Sequence, residues 1–393
     1  MIEIVSDQQE VETGLRRIVE ILQQSGGQIS NDLRIVCQDS QMWVEMDEIP
    51  EPNKPVTMVP RDCLLPLEGG EIELSGRDFK IASMPPSYTP TQKKLLEEMM
   101  TIYNACNKAA LWRTSYINLA LGKESKVLKA LYSGRSINAK SQEKITQFEH
   151  GETPENLVAS FLDSRLLLVG AKKPATAQRV LMPLIDYFNH HVSGAPFSVK
   201  EDALRIGSSH PVTGSNEVFA RYSFLDAQDC LHTYGFVDML APIMRSVPLV
   251  IKLDDVDEIR INSGIVRKRK EELPKRLADL KMLMPKISRH QDNRLIVSHL
   301  FIPSRSAPRS MRRILAVLIR NSTGFEKTRT IEPLILEAER QVVTANQGYL
   351  ERLKAELAQT APSEREENCF AEIRRLIQKQ SQMIDNYRAF AKF

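Results

Sequence analysis

The chain has 393 residues, of which 42% are hydrophobic and 26% charged, with a net charge of +3. That length carries two or three domains of ordinary size, each with its own core. No apolar run approaches the ~18 residues that span a bilayer. The acidic start MIEIVSDQQEVE lacks the basic and apolar regions of a secretory signal, so a cytoplasmic protein is expected.

Five cysteines, Cys37, Cys63, Cys106, Cys230 and Cys369, are odd in number, scattered, and form no CxxC pair. They are expected to be reduced thiols rather than a disulfide framework or a zinc ribbon. Charge is uneven along the chain. Residues 265–330 hold seventeen Lys/Arg against five Asp/Glu, twelve positive in sum, which leaves nine negative on the rest. Such a stretch can steer an acidic partner, or it can be a solvated helix face.

In chain order, residues 10–24 place Val11, Leu15, Ile18, Ile21 and Leu22 on one helical stripe, and SGGQISN ends that helix. DLRIVCQDSQMWVEM reads as two short strands around a polar turn near Gln38–Ser40. Three prolines in PEPNKP make a connection, and VTMVPRDCLLP resumes as extended chain. From 91 to 165 the spacing turns helical, with Thr153, Glu155 and Asn156 as a polar helix start. Residues 176–237 return to short apolar runs between turns.

After about 245 the chain reads as mainly helical. One stripe is Ile331, Leu334, Ile335, Ala338 and Val342; another is Phe370, Ile373, Ile377, Ile384 and Tyr387. The expected plan has four parts. Residues 1–90 open a β core, 91–165 form a helical insert, 166–244 complete the core, and 245–393 form a helical domain.

The chain has no GxGxxG, Walker A, HExxH or GxSxG motif, so the common nucleotide-phosphate and hydrolase sites are not indicated. Two polar-rich stretches stand out. LMPLIDYFNHH ends an apolar run in Asp186, Asn189, His190 and His191. Burying such groups costs free energy unless each finds a partner. On spacing alone, Asp186 and Asn189 close a turn after a strand, or the group holds a ligand. Adjacent histidines point to different sides of an extended chain and no third ligand stands at a diagnostic spacing, so no metal is expected. The second stretch is RYSFLDAQDCLHTYGFVD, read as a strand end at Tyr222 and a short helix stopped by Gly235. Tyr234 just before that glycine needs a hydroxyl partner if buried.

The two stretches, in this order and about 45 residues apart, resemble the SET domain of protein lysine methyltransferases. The closer resemblance is to the subgroup with a long helical insert, typified by the Rubisco large-subunit methyltransferase and its animal relatives. Pro183, Asp186, Asn189 and His190 stand where that subgroup has its first motif. Tyr234, Gly235 and Phe236 stand at the second, with Glu217, Val218, Phe219 and Tyr222 before it. Ser164 and Arg165 are similar to its Ser-Arg helix end, and MVPRDCLLP to its Ile-Pro-x-x-x-Leu-Leu strand. Two places depart from the pattern. QDSQMWVEM lacks the Gly-x-Gly-like turn of the family's first hairpin, and MRSVPLV offers Ser246, Val247 and Pro248 where the family tends to place an aromatic residue.

The resemblance implies an α+β fold: a SET β core with a knot-like C-terminal segment, a helical insert and an all-helical C-terminal domain. It implies S-adenosylmethionine (SAM) as cofactor, with Arg165 at its carboxylate and Asp186, Asn189, His190 and Ser246 around it. Tyr234 would be catalytic beside the reacting methyl, and Tyr222 would line the lysine channel. A protein substrate would dock on the C-terminal domain, with no membrane partner. Nucleic acid is not expected, because residues 265–330 lack the interleaved aromatics of a stacking surface. A protein histidine as acceptor, or a SET-like module that binds without catalysis, are the alternatives.

Overall fold

The computed structural model describes residues 2–51, 54–122, 125–135, 152–170, 177–200, 202–209, 212–253, 257–261, 280, 283–289, 294–304, 308–322 and 330–391. Helices and strands are mixed, and the chain forms two compact units. The first is Met1–Arg113 with Glu152–Phe224; the second is Thr114–Gly151 with Leu225–Phe393. Among the described residues no helix is long and apolar enough to cross a membrane.

The first unit opens with strand Glu3–Ser6 and helix Gln9–Gln24. The helix buries Val11, Leu15, Ile18 and Leu22 as the stripe predicts; Val19 joins them, while Ile21 is only half-buried. Gly14 is needed for close packing, since a Cβ there would stand 2.9 Å from Ile102 on helix Pro90–Ala105. Strands Leu33–Gln38 and Gln41–Met46 form the expected hairpin, in register Gln38↔Gln41. Its turn residues Asp39 and Ser40 have φ of +50° and +63°. A two-residue turn with both residues left-handed matches the twist of the flanking strands, and aspartate tolerates that region better than most side chains do.

A four-stranded sheet joins Gln28–Ile29, Pro55–Pro60, Ala203–Gly207 and Ser198–Val199. Helix Pro90–Ala105 starts with a capping box, in which Thr89 accepts from the Gln92 N–H and the Gln92 side chain accepts from the Thr89 N–H. Thr153 caps helix Pro154–Asp163 as its sequence predicts, accepting from the Asn156 N–H.

The second unit corrects the expectation of an all-helical domain after 245. Among the described residues six short strands lie between Ile243 and Pro303. Ile243–Arg245 pairs with Phe301–Pro303, and a four-stranded sheet runs in the order Leu249–Leu253, Asp257–Ile261, Leu295–Val297, Ile287–Arg289. The physical signal is period two. Ile251, Leu253, Ile259 and Ile261 are buried on alternate positions, and β-branched side chains fit a half-buried pleated surface. Helices Pro308–Arg320, Glu332–Gln359 and Glu367–Ala391 follow. Their buried faces include Leu334, Ile335, Ala338, Val342, Phe370, Ile373, Ile384 and Tyr387, as the two stripes predict, while Ile331 and Ile377 are only half-buried.

Of residues 91–165, Thr114–Gly151 lies in the second unit and the remainder in the first, and the second unit resumes at Leu225.

The second unit contains a buried ionic cluster. Arg135 Nη2 donates to Asp226 Oδ1 and Oδ2 at 2.7 and 2.5 Å, Nε to Asp229 at 3.3 Å, and Nη1 to the carbonyls of Gly134 and Arg245. Arg245 Nη2 lies 3.0 Å from Asp229 Oδ2. Two guanidinium groups thus face two carboxylates. Asp226 also caps helix Ala227–Tyr234 through the Asp229 N–H, and Gly235 ends that helix at φ +77°.

Candidate cofactor site

Arg165 follows the C-terminus of helix Pro154–Asp163. Its Nη1 donates to Asp186 Oδ2 at 2.9 Å, and its guanidinium lies 4.4 Å from the ring centre of Phe161 and 5.4 Å from that of Tyr103. Stacking on two rings leaves the planar cation few orientations. Tyr103, from helix Pro90–Ala105, donates its hydroxyl to the same Asp186 oxygen at 2.8 Å. Behind it Phe161 stacks on Phe79 at 4.5 Å and meets Tyr103 edge-on at 5.2 Å.

Asp186 sits on the short 3-10 turn Ile185–Tyr187, entered through Leu184 at φ +66°. Burial pushes its carboxyl above the usual range, and Arg165 opposes that shift without cancelling it. Burial also holds the Tyr103 and Tyr187 phenols well above their usual value, so both are neutral donors. Arg165 Nε and the Tyr187 hydroxyl are buried with no hydrogen-bond partner among the described residues. The Arg165 side chain keeps 22% of its surface exposed.

Asn189 and His190 are fixed mainly through the main chain. Segment His190–Pro196 pairs in parallel with Ala220–Arg221, the Ala220 N–H donates to Asn189 O at 2.9 Å, and the Ala195 N–H donates to Phe219 O at 3.0 Å. Gly194 permits this approach, since a Cβ there would stand 2.5 Å from the Ala220 carbonyl carbon. The Asn189 side chain donates to Met42 O at 3.1 Å and to Glu217 Oε1 at 2.8 Å. The first hairpin is tied in as well, through Met46 N–H to Asn216 O and Val218 N–H to Val44 O. His190 Nδ1 accepts from the Tyr222 N–H at 3.2 Å, and the two rings lie 5.2 Å apart. The Tyr222 hydroxyl donates to Phe188 O at 2.8 Å. His191 turns the other way and packs 5.0 Å from Phe219. Among the described residues no group of three His, Cys, Asp or Glu could hold a metal ion.

The structure therefore brings Arg165, Asp186, Asn189, His190 and Tyr222 into one unit, each held by named partners. Tyr234 and Ser246 belong to the other unit. Tyr234 ends helix Ala227–Tyr234, and its ring packs 6.0 Å from Phe236. Burial pushes its phenol up to about 12, so its hydroxyl is a donor at neutral pH. Ser246 is fully buried, and its hydroxyl donates to Val247 O at 3.1 Å and accepts from Asn346 Nδ2 at 2.9 Å.

Sequence reading missed Tyr103 and Phe161, which orient Arg165, and Lys108, whose Nζ donates to Ser40 O at 2.8 Å on the hairpin turn. No local signal marks them. Tyr103 lies 83 positions from Asp186, and Lys108 lies 68 from Ser40. In the basic stretch 265–330, most residues up to 282, Arg267 and Lys268 among them, lie outside the described residues.

No protein-family model matches the chain, and no curated protein does. Solved structures similar to it include the SET domain of LSMT bound to lysine and AdoHcy, at TM-score 0.42 and 11% identity over 97% of this chain and 91% of that one. Rubisco LSMT bound to AdoMet gives TM-score 0.41 and 12% identity over 96% and 91%. The same protein bound to sinefungin and monomethyllysine gives 0.40 and 11%, again over 96% and 91%. The likeness is thus to SET-domain structures, and at these values it assigns this chain no function.

Proposed function

We propose that the protein is a SAM-dependent methyltransferase of SET type that transfers methyl to a protein lysine, in the cytoplasm. The observation that carries this reading is the setting of Arg165. It is a guanidinium clamped by Asp186 and two aromatic faces, with part of its surface open. A planar cation held in one orientation suits a carboxylate, and the orphaned Nε beside it is a donor with nothing to bind. Asn189 and His190, pinned by the Ala220–Tyr222 segment, supply amide and main-chain groups for the rest of the amino-acid end. The residues present therefore fit the carboxylate end of SAM.

When bound, SAM supplies an electrophilic methyl on a sulfonium, and transfer is an in-line displacement in which alignment does most of the work. The chain's residues would align the acceptor and favour its neutral form, the ammonium proton leaving to solvent. A free lysine has a pKa of about 10.4, and an apolar channel lowers it by disfavouring the ammonium. Tyr222, its hydroxyl fixed on Phe188 O, is assigned to the wall of that channel. Tyr234 is assigned the catalytic hydroxyl, protonated at neutral pH and able to orient the amine. The substrate protein is assigned to the C-terminal helices of the second unit. One observation favours the non-catalytic alternative: the hairpin turn is Asp39–Ser40, without the glycines of the resembled family.

The test is methylation of a cell lysate with radioactive SAM, followed by single-turnover transfer to the labelled protein. Tyr234→Phe is expected to lower the transfer rate sharply and to leave SAM affinity within about threefold. Wild-type transfer by Tyr234→Phe moves the catalytic residue elsewhere, and no labelled protein at all favours the binding module.

A further inference from the structure

Two of the five cysteines meet. Cys37 Sγ and Cys106 Sγ lie 3.7 Å apart across 69 positions of sequence, and both are buried. Cys37 is on strand Leu33–Gln38, and Cys106 closes helix Pro90–Ala105 with its N–H on Ile102 O. Cys63, Cys230 and Cys369 are buried as well, and Cys369 gives its thiol to the carbonyls of Thr114 and Ser115. A disulfide holds its sulfurs at about 2.05 Å, so each sulfur of the pair has about 0.8 Å to travel, a distance that a modest turn of the side chain covers.

The pair is asymmetric. A hydrogen bond from the Cys106 S–H holds the Cys37 thiol below its usual value, and the same bond, with burial, holds Cys106 above it. Cys37 is therefore the sulfur that gives the thiolate, and the thiolate is the nucleophile. It adjoins Gln38 and Asp39, which are exposed at the end of the hairpin. In a reducing compartment such a pair stays as thiols until an oxidant arrives, which is the behaviour of a sensor rather than of a structural bridge.

We propose that Cys37 and Cys106 are a redox-sensitive pair, which hydrogen peroxide closes to a disulfide that ties the first hairpin to helix Pro90–Ala105. The Cys37 thiolate attacks one peroxide oxygen, the O–O bond breaks, and the hydroxide that leaves takes up the Cys37 proton as water. The Cys106 sulfur then attacks the sulfenic sulfur of Cys37. The S–S bond forms, the S–O bond breaks, and the oxygen leaves with the Cys106 proton as a second water. Two electrons pass from the sulfurs to the peroxide. The tie falls on segments that hold the polar groups described above. Cys37 faces Met42 across the hairpin, Met42 O accepts from Asn189, and Tyr103, one helical turn before Cys106, donates to Asp186.

The experiment treats the folded full chain with hydrogen peroxide, alkylates the remaining thiols in denaturant, and maps the peptides by mass spectrometry with and without dithiothreitol. Hydrogen exchange of residues 33–46 is followed before and after oxidation. The expected result is one linked pair of peptides, carrying Cys37 and Cys106, lighter by two hydrogens and released by dithiothreitol, with Cys63, Cys230 and Cys369 alkylated. Exchange in the hairpin should slow by about threefold or more in the oxidised protein. Cys106→Ala should give no link and leave a sulfenic acid on Cys37 that dimedone traps. Alkylated Cys37 and Cys106 in oxidised wild type, or links scattered among all five cysteines, overturns the pair. A Cys37–Cys106 link with unchanged hairpin exchange overturns the tie.

Discussion

Each unit buries an arginine against aspartate, and the two arginines differ in what is left over. Arg135 places all three of its nitrogens on acceptors, and its cluster of two guanidinium groups and two carboxylates is neutral. Arg165 places one nitrogen on Asp186 and leaves Nε without an acceptor among the described residues. Both are surrounded by packed side chains, so burial alone does not separate them. What separates the two arginines is whether each of their own nitrogens meets an acceptor among the described residues. Arg135 itself has every nitrogen on an acceptor, whereas Arg165 keeps a buried Nε with no partner among the described residues and is the one we propose as a receptor for an anion.

The comparison breaks most visibly on substitution. Arg135→Met strands Asp226, whose side chain is fully buried, and should cost about 3–5 kcal/mol of stability in denaturant unfolding. Arg165→Met should cost less, about 1–2 kcal/mol, because Asp186 is already drawn towards its neutral form and keeps the Tyr103 hydroxyl. Equal losses in the two variants would remove the distinction.

The pH dependence should differ in sign between the units. Burial lowers His232 to about 3 and His299 to about 4 in the second unit. The unfolded chain, with histidine near 6.5, then binds more protons than the folded one between those values. Stability from these groups is present above about 6.5 and is lost as pH falls, by up to about 1.4 kcal/mol per pH unit for each group. Asp186 in the first unit is raised instead, so its contribution is present below about 3.8 and is lost as pH rises through its folded value. Acid unfolding followed by hydrogen exchange should therefore open the second unit first, and His232→Asn should flatten its slope.

The smallest expected effect is at Tyr103. Tyr103→Phe removes one donor from Asp186 and should cost about 1 kcal/mol. If it orients Arg165, ligand affinity should fall several-fold while the protein stays folded, which a purely structural role would not produce. Calorimetry with S-adenosylhomocysteine beside a melting curve separates the two.

The legible parts of this molecule are local. QDSQ between two alternating runs marks the hairpin, Thr153 marks a helix start, and Gly235 marks a helix end. Each of these signals acts within four residues. The Asp186 and Asn189–His190 stretch was visible as a set of polar groups that needed partners, but the partners were not. Tyr103, Glu217 and Ala220 come from distant segments, and nothing in TIYNACNKAALW distinguishes Tyr103 from an ordinary core tyrosine. The region 243–303 misled for another reason. Its strands have three to five residues each, too short for their period of two to outweigh the long helical stripes that follow.

Titration of the full chain with S-adenosylhomocysteine, wild type against Arg165→Met, tests the central claim most directly. Wild type should bind, and its melting temperature should rise with ligand concentration as mass action requires. Arg165→Met should melt near the wild-type temperature without ligand and lose about a hundredfold in affinity, the loss of a charge-assisted contact of about 3 kcal/mol. Equal affinity in the two proteins, or none in wild type at millimolar ligand, would contradict the assignment of Arg165 as the carboxylate receptor.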